Sequence, residues 1–132
     1  MTTYRIGEAA ELLAVSDDTV RRWIDAGTLP ARTDGAGRTV VDGADLAALA
    51  IERAKAPQDP GAGHTSARNR FVGIVTCVQA DGVMAQVDLQ CGPFRGVSLM
   101  SAEAVRELGL GPGSRATAVV KATTVVVEGG SK

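Results

Sequence analysis

The chain has 132 residues, a formal net charge of −1 and 45% hydrophobic residues. This length allows one domain or two small ones, and the near-zero charge excludes a uniformly basic surface for nucleic acid. Aromatic residues make up only 3%, so a core must be built from Val, Ala, Leu and Ile. Small cores bury little surface, and we therefore expect contacts between copies. The sequence contains no long apolar run and no leader-like pattern after Met1. We expect a cytoplasmic protein with no membrane contact.

The first 27 residues predict two helices joined by a short turn. Apolar residues recur at three- and four-residue steps from Tyr4 to Leu13, which is typical of an amphipathic helix. After a break at Ala14-Val15, Ser16 is a good N-cap for a second helix, and Gly27 is a suitable residue to end it. Val20, Trp23 and Ile24 share one face of this second helix and would pack on the first. This layout is typical of a helix-turn-helix.

The segment that follows predicts a small wing and a third helix. Residues 27–33 and 38–41 have strand-like composition, and the glycine-rich stretch Asp34-Gly35-Ala36-Gly37 lies between them. Asp42 is then the predicted cap of a last helix over residues 44–51. Residues 1–55 are therefore interpreted as one winged helix-turn-helix domain.

Residues 3 to 51 resemble the winged helix-turn-helix of the MerR and phage-excisionase group. The landmarks that carry the resemblance are Ile6…Glu8-Ala9-Ala10, Ser16…Thr19-Val20…Arg22-Trp23, Ala26-Gly27…Leu29-Pro30, Gly35…Arg38 and Asp45-Leu46. The resemblance implies that the second helix enters the DNA major groove and that the wing touches the flanking backbone. The candidate DNA-binding residues are Thr19, Arg21, Arg22, Arg32 and Arg38. Guanidinium groups suit guanine edges and phosphates, although these arginines are also compatible with an ordinary solvated surface.

The charge of the predicted head argues against tight binding by a single copy. Residues 1–55 contain seven Arg or Lys and nine Asp or Glu, a net charge of −2. Non-specific DNA affinity comes mainly from neutralising phosphates, so one head should bind weakly. Several heads on one oligomer would recover affinity through their effective concentration.

Residues 56–65 predict a flexible linker between two domains. Two prolines and two glycines among ten residues disfavour regular structure. His64, the single histidine, lies in this segment and is more simply read as inert than as a ligand. The two cysteines, Cys77 and Cys91, are interpreted as small buried side chains rather than as a disulfide.

Residues 66–132 predict a small β-rich domain. Apolar segments at 70–79, 83–89, 96–100, 116–121 and 124–128 read as five strands, separated by turn signals. A short helix over 101–108 falls between the third and fourth strands. This is the element order of an OB-type barrel, and the whole chain is therefore predicted to be α+β. The barrel alone does not determine a function.

The same domain resembles the molbindin, or Mop, domains, which are related to TOBE domains and bind molybdate and tungstate. The landmarks are Ser66-Ala67-Arg68-Asn69, Leu108-Gly109-Leu110 and Val120-Lys121-Ala122-Thr123. The resemblance implies that oxyanions bind between subunits, with the lysine segment supplied by a neighbour. The implied oxyanion-binding residues are Ser66, Ala67, Arg68, Ser101, Lys121, Ala122 and Thr123. Ala67 and Ala122 would act through their main-chain N–H groups.

One position departs from the family pattern. The family often has Thr-x-x-Ser at the start of the short helix, whereas this chain has Ser101-x-x-Ala104, so one hydroxyl is lost. The remaining donors still suit molybdate, a tetrahedral dianion that offers only acceptor oxygens. Residues 66–132 carry a net charge of +2, a mild preference for anions. Tungstate is nearly the same size, so the sequence does not distinguish the two ions.

Two functions are compatible with this organisation. The first is a molybdate- or tungstate-responsive DNA-binding transcriptional regulator; the second is a storage or buffering protein with an accessory helix-turn-helix. Both require a homo-oligomer, for which the resemblance favours a hexamer, with a dimer as the alternative. The sequence contains no phosphate loop, nucleophile–histidine pair or metal-ligand cluster, so we expect no enzyme, no catalytic cofactor and no metal beyond the oxyanion.

Overall fold

The computed structural model describes residues 2–130 and divides the chain into two compact units, Met1–Lys55 and Ala56–Lys132. No helix within the described residues is long and apolar enough to cross a membrane.

The N-terminal unit contains three helices and a three-stranded antiparallel sheet. The elements are β1 (Thr3–Arg5), α1 (Ile6–Leu13), α2 (Asp17–Asp25), β2 (Arg32–Thr33), β3 (Thr39–Asp42) and α3 (Gly43–Arg53). The sheet order is β1-β3-β2. The core consists of Ala9, Ala10, Val20, Leu29, Val41, Leu46 and Leu49, with Trp23 and Ile24 packed against it. The helix-turn-helix and the wing are thus confirmed.

Local sequence signals account for the helix boundaries in this unit. The Ser16 side chain accepts a hydrogen bond from the Thr19 N–H at 3.1 Å, which confirms the predicted N-cap. Ala14 adopts a left-handed conformation between α1 and α2. Gly27 has φ +79° just after α2, a conformation that glycine adopts without steric cost.

Two expectations for this unit need correction. The first helix begins at Ile6 rather than Tyr4, because residues 3–5 pair with β3 as an edge strand. Asp42 occupies the N-cap position of α3 but makes no side-chain cap hydrogen bond. Its carboxylate accepts a hydrogen bond from Arg32 instead, at 2.8 Å.

The C-terminal unit is a curled four-stranded antiparallel sheet with one short helix. Its elements are β4 (Asn69–Ala80), β5 (Met84–Cys91), β6 (Phe94–Ser101), α4 (Ala102–Leu108) and β7 (Arg115–Val120), followed by a 3₁₀ turn (Ala122–Thr124). The sheet order is β6-β5-β4-β7. This arrangement is consistent with the expected OB-like Mop fold, and it agrees with the overall α+β prediction.

The core of this unit lies on one face of the sheet under α4. Val75, Ala85, Val87, Leu89 and Val105 form its buried centre. The bulge between Val75 and Cys77 shifts the register of β4 against β5 and bends the long strand. Gly73 fits closely here, because a Cβ at this position would lie 2.5 Å from the Gln90 carbonyl oxygen. The core is incomplete at one end, since Phe94 remains 73% exposed.

The predicted fifth strand is absent from the described residues. Residues 125–130 have no regular structure, and Val126 and Val127 are each 86% exposed. The prediction followed from a β-branched run, but such a run forms a strand only against a partner strand. Cys77 and Cys91 are both free, as predicted, and are half-buried rather than fully buried.

The segment predicted as a flexible linker is tied to the C-terminal unit. Asp59 forms an ion pair with Arg70 of β4 at 2.7 Å, and the Gln58 carbonyl accepts a hydrogen bond from Arg115. The proline and glycine content prevents helix and strand here, but it does not prevent these side chains from holding the backbone.

The stability of the fold should decrease in acid. Hydrogen bonds hold the pKa of four aspartates below their ordinary value of 3.8. The main donor is a backbone N–H for two of them, that of Arg38 for Asp34 and that of Met84 for Asp81. For the other two it is a guanidinium, that of Arg70 for Asp59 and that of Arg95 for Asp88. A lowered folded-state pKa stabilises the protein above the unfolded-state value, and this stabilisation is lost as the pH falls below it. We expect the urea midpoint to be lower at pH 3 than at pH 7. Equal midpoints would contradict this assignment.

Candidate oxyanion site and DNA-reading surface

The predicted oxyanion-binding residues fall into three groups, 66–68, 101 and 121–123, and strand pairing brings the first and the last together within one copy. Asn69 at the start of β4 lies opposite Val120 at the end of β7, and its Nδ2 donates to the Val120 carbonyl at 3.1 Å. Arg68 and Lys121 are the next residues outward on each strand. Ser66–Arg68 and Lys121–Thr123 therefore leave the same edge of the sheet side by side.

Hydroxyl residues that the motifs did not include shape both loops. The Thr65 hydroxyl accepts the Ala67 N–H at 3.3 Å, and the Thr65 carbonyl accepts from the Arg68 guanidinium at 3.1 Å. On the other loop, the Lys121 carbonyl accepts from the Thr124 hydroxyl at 2.9 Å. Thr65 and Thr124 could have been suspected from the sequence, since threonine next to a loop often bonds to nearby backbone. The predicted Ala67 N–H donor is thus already engaged, although by a long bond.

The electrostatics of this edge favour an anion. Arg68 and Lys121 are both exposed, and within residues 2–130 neither forms an ion pair. Ser66 and Thr123 are also exposed, so their hydroxyls are accessible. Two cations at neighbouring positions repel each other, and a bound dianion would relieve that repulsion.

The third predicted element lies at the opposite end of the sheet. Ser101 pairs with Met84, at the end of β5 that follows the β4–β5 turn, whereas Arg68 precedes the start of β4. The whole length of β4 separates them along the sheet. The Ser101 hydroxyl accepts the Ala104 N–H at 3.0 Å, so it is the N-cap of α4. Within one copy, Ser101 does not join the other two motifs.

The head presents its predicted DNA-binding arginines in two different states. Three of them face a carboxylate: Arg21 with Asp18 at 3.4 Å, Arg32 with Asp42 at 2.8 Å and Arg38 with Asp34 at 3.5 Å. Arg22 instead donates to the Thr19 hydroxyl at 3.1 Å. That hydroxyl also lies 3.0 Å from the Ser16 hydroxyl.

Arg22 is therefore held in place by a hydroxyl, with no carboxylate partner among residues 2–130. Thr19, near the N-terminal end of α2, positions Arg22 because its hydroxyl accepts the guanidinium hydrogen bond. The other three arginines would have to exchange an intramolecular partner for a phosphate or a base.

Comparison with known proteins agrees with this division of the chain. The helix-turn-helix domain family matches residues 3–54, and the TOBE domain family matches residues 65–127. Among solved structures, MopII from Clostridium pasteurianum in an apo form is 38% identical, covering 49% of this chain and 98% of that chain, with a TM-score of 0.46. The chain belongs to the molbindin family.

Two further solved structures are similar in sequence to this chain. A molybdate-binding protein from Sporomusa ovata is 31% identical, covering 49% of this chain and 97% of that chain, with a TM-score of 0.48. The cytoplasmic molybdate-binding protein ModG, in a form with molybdate bound, is 33% identical, covering 67% of this chain and 74% of that chain, with a TM-score of 0.45. No curated protein matched the chain.

The N-terminal head has no counterpart in two of these relatives, since MopII and the Sporomusa protein match over nearly their whole length but cover only about half of this chain. Among residues 2–130, no three His, Cys, Asp or Glu side chains are grouped so that they could hold a metal ion.

The capping role of Ser101 can be measured separately from any role in binding. Ser101→Ala removes the acceptor of the Ala104 N–H and should lower the free energy of unfolding by about 1 kcal/mol. Ser101→Asp keeps a capping acceptor and should leave stability near that of the wild type. Urea unfolding measures both, with Ser98→Ala on exposed β6 as the matched control. Wild-type stability of Ser101→Ala would contradict the capping role.

Proposed function

We propose that this protein is a molybdate- or tungstate-responsive DNA-binding regulator that binds its oxyanion between copies of the C-terminal unit. The observation that carries the proposal is the adjacency of the Ser66–Arg68 and Lys121–Thr123 motifs at one sheet edge, in a chain that also carries a helix-turn-helix head. ModG is described as cytoplasmic, and we propose the same compartment for this protein.

The donor set at this edge matches the chemistry of the ion. Molybdate and tungstate are dianions whose four oxygens only accept hydrogen bonds, and Arg68, Lys121, Ser66 and Thr123 can all donate. Hydrogen bonds from cationic donors are the stronger kind. None of the proposed ligands is a carboxylate, so the site offers no charged acceptor for the proton of hydrogen phosphate. Sulfate has the same charge as molybdate, and its exclusion would depend on the size of the cavity.

Two observations favour a site that is completed by a second copy. Ser101 lies at the far end of the sheet, so it could join the other motifs only from a neighbouring copy. The unit also leaves large apolar side chains exposed, among them Phe94, Leu99 and Val125–Val127, and such surfaces commonly mark contacts between proteins. A closed homo-oligomer would bury them and repeat the site by symmetry. We favour a hexamer, with a dimer as the alternative.

The affinity for DNA would depend on how many heads one oligomer carries. With a net charge of −2, and with three of its arginines paired to carboxylates, one head offers few free cations to phosphate. Heads joined through the C-terminal units would bind a multiple site with much higher avidity. In this proposal Arg22 and Thr19 contact bases, and Arg32 and Arg38 contact the backbone beside the wing.

The same weakness of the head favours a second candidate, oxyanion storage. A storage protein would bind many ions per oligomer and would need no DNA response. A gel shift performed with and without molybdate separates the two functions. Sequence-specific binding that changes with the ion supports regulation, whereas ion binding without any DNA effect supports storage.

Lys121→Ala should weaken oxyanion binding. Loss of a hydrogen bond to a charged group costs about 1.5–3 kcal/mol, which corresponds to roughly a ten- to hundredfold loss of affinity. Native mass spectrometry with molybdate, tungstate and sulfate would report ion number and subunit number together. Arg106→Ala, which removes an exposed cation from α4, is the matched control. Unchanged binding by Lys121→Ala, or equal binding of sulfate, would contradict the proposed site.

Asp42→Asn should strengthen DNA binding by freeing Arg32. The change removes a negative charge and leaves the guanidinium available to phosphate, so the logarithm of affinity should fall more steeply with salt, by about one unit of slope. Gel shifts on DNA selected from a random pool would measure this. Asp25→Asn removes an equal charge from the end of α2, where no arginine partner occurs within the described residues, and should have a smaller effect. An equal effect of the two changes would remove Arg32 from the interface.

A further inference from the structure

In the segment before the Ser66–Arg68 motif, Asp59 forms an ion pair with Arg70 of β4. Asp59 Oδ2 accepts from Arg70 Nε at 2.7 Å, and Asp59 Oδ1 accepts from Arg70 Nη2 at 3.0 Å. The two side chains are 17% and 18% exposed. In every other ion pair within residues 2–130, at least one partner is more than half exposed. Asp59–Arg70 is therefore the ion pair that is best shielded from water. Exposure to water weakens ion pairs.

The backbone around Asp59 is shaped to fit this pair. Asp59 Oδ1 also accepts the Gly61 N–H at 3.0 Å, which forms a tight turn. A Cβ on Gly61 would overlap the Arg70 guanidinium, so any other residue at position 61 would force the guanidinium to move. Arg115 of β7 donates to the Gln58 carbonyl and anchors the segment a second time. The pKa of Asp59 is lowered mainly by the Arg70 hydrogen bond, which keeps its carboxylate charged.

The anchored segment shortens the tether of the head. Helix α3 ends at Arg53, and the first residue tied to the C-terminal unit by a side chain of its strands is Gln58, so the four residues 54–57 connect them. Four residues span at most about 14 Å when extended, compared with roughly 35 Å for the ten residues of the predicted linker. Release of Asp59 and Gln58 would restore the longer tether.

Arg70 also lies next to the proposed oxyanion site. It pairs with Val119 on β7, two residues from Lys121, and it follows Arg68 by two residues along β4. Directly opposite residues point to the same face, so Arg70 and Val119 share one face of the sheet, and Arg68 and Lys121 follow just beyond the two strand ends. A dianion bound there would attract the Arg70 guanidinium and repel the Asp59 carboxylate.

We propose that the Asp59–Arg70 pair is a latch that holds the interdomain segment to β4, and that oxyanion binding beside Arg68 and Lys121 releases it. Once the pair opens, the Gln58–Arg115 hydrogen bond still holds the segment; when this single bond also breaks, the tether lengthens and widens the range of DNA positions that two heads can reach together. This inference rests on the proposed function and gives it a physical link from ion to head. Because coupling is reciprocal, removing Asp59 must also strengthen ion binding.

Hydrogen exchange of the full-length protein tests the latch directly. In the wild type, molybdate should speed exchange of the Gly61 and Ala62 amides, which both donate to Asp59, by about fivefold or more, within the usual range of coupling between sites. Asp59→Asn should show fast exchange without the ion and a molybdate affinity raised by a similar factor. Gly61→Ala keeps the Asp59 charge but displaces Arg70, so it should also exchange fast, with a smaller gain in ion affinity. Ala62→Gly, which loosens the same segment without touching Arg70, is the control.

The outcomes separate the latch from the proposed function. Exchange of the amides of residues 61 and 62 that is equally slow in Asp59→Asn, Gly61→Ala and the wild type would overturn the latch. Molybdate binding in the native mass spectrum, with unchanged wild-type exchange, would overturn its release by the ion while leaving the proposed function standing. Absence of molybdate binding would end both proposals.

Discussion

The antiparallel pairing of β4 with β7 is the constraint on which the proposed site depends. Asn69 opposite Val120 fixes the two strand ends, and the chain leaves each of them with a cation, Arg68 on one side and Lys121 on the other. The backbone ladder holds these like charges in neighbouring positions although they repel each other. An anion is the simplest partner for such an arrangement, and two threonines, Thr65 and Thr124, hold the loops from which it would be bound.

The two units contribute different physical properties. The N-terminal unit has a closed core around Val20, Leu29 and Val41, all buried, and its surface cations are largely balanced by its own carboxylates. The C-terminal unit has an open core, with Phe94 exposed and Val125–Val127 unpaired. Assembly through the C-terminal unit would therefore bury its exposed apolar side chains. It would also bring together several N-terminal units, each of which would bind DNA weakly. In this account, oligomerisation is what makes a low-affinity head useful.

The sequence predicted the ends of a helix correctly where neighbouring residues alone determine them. Ser16 and Gly27 bound the second helix because capping and a left-handed turn need only neighbouring residues. Elements that depend on distant partners were missed or misread: residues 3–5 form a strand only because β3 lies beside them, and residues 125–127 lack a strand to join. The motifs located the candidate site, but only the strand register placed Lys121 beside Arg68 and Ser101 far from both.

A mixing experiment tests the central claim, that one site is completed by two copies. At a molybdate concentration below the weakened Kd, Lys121→Ala and Ser101→Asp should each leave the shared site empty, the first by removing a cation and the second by adding a carboxylate. When the two variants are unfolded, mixed in equal amounts and refolded, native mass spectrometry should detect molybdate at about a quarter of the sites, because random assembly pairs an intact Lys121 with an intact Ser101 that often. Recovered binding would support a site shared between copies. Mixed oligomers that bind no molybdate would contradict it.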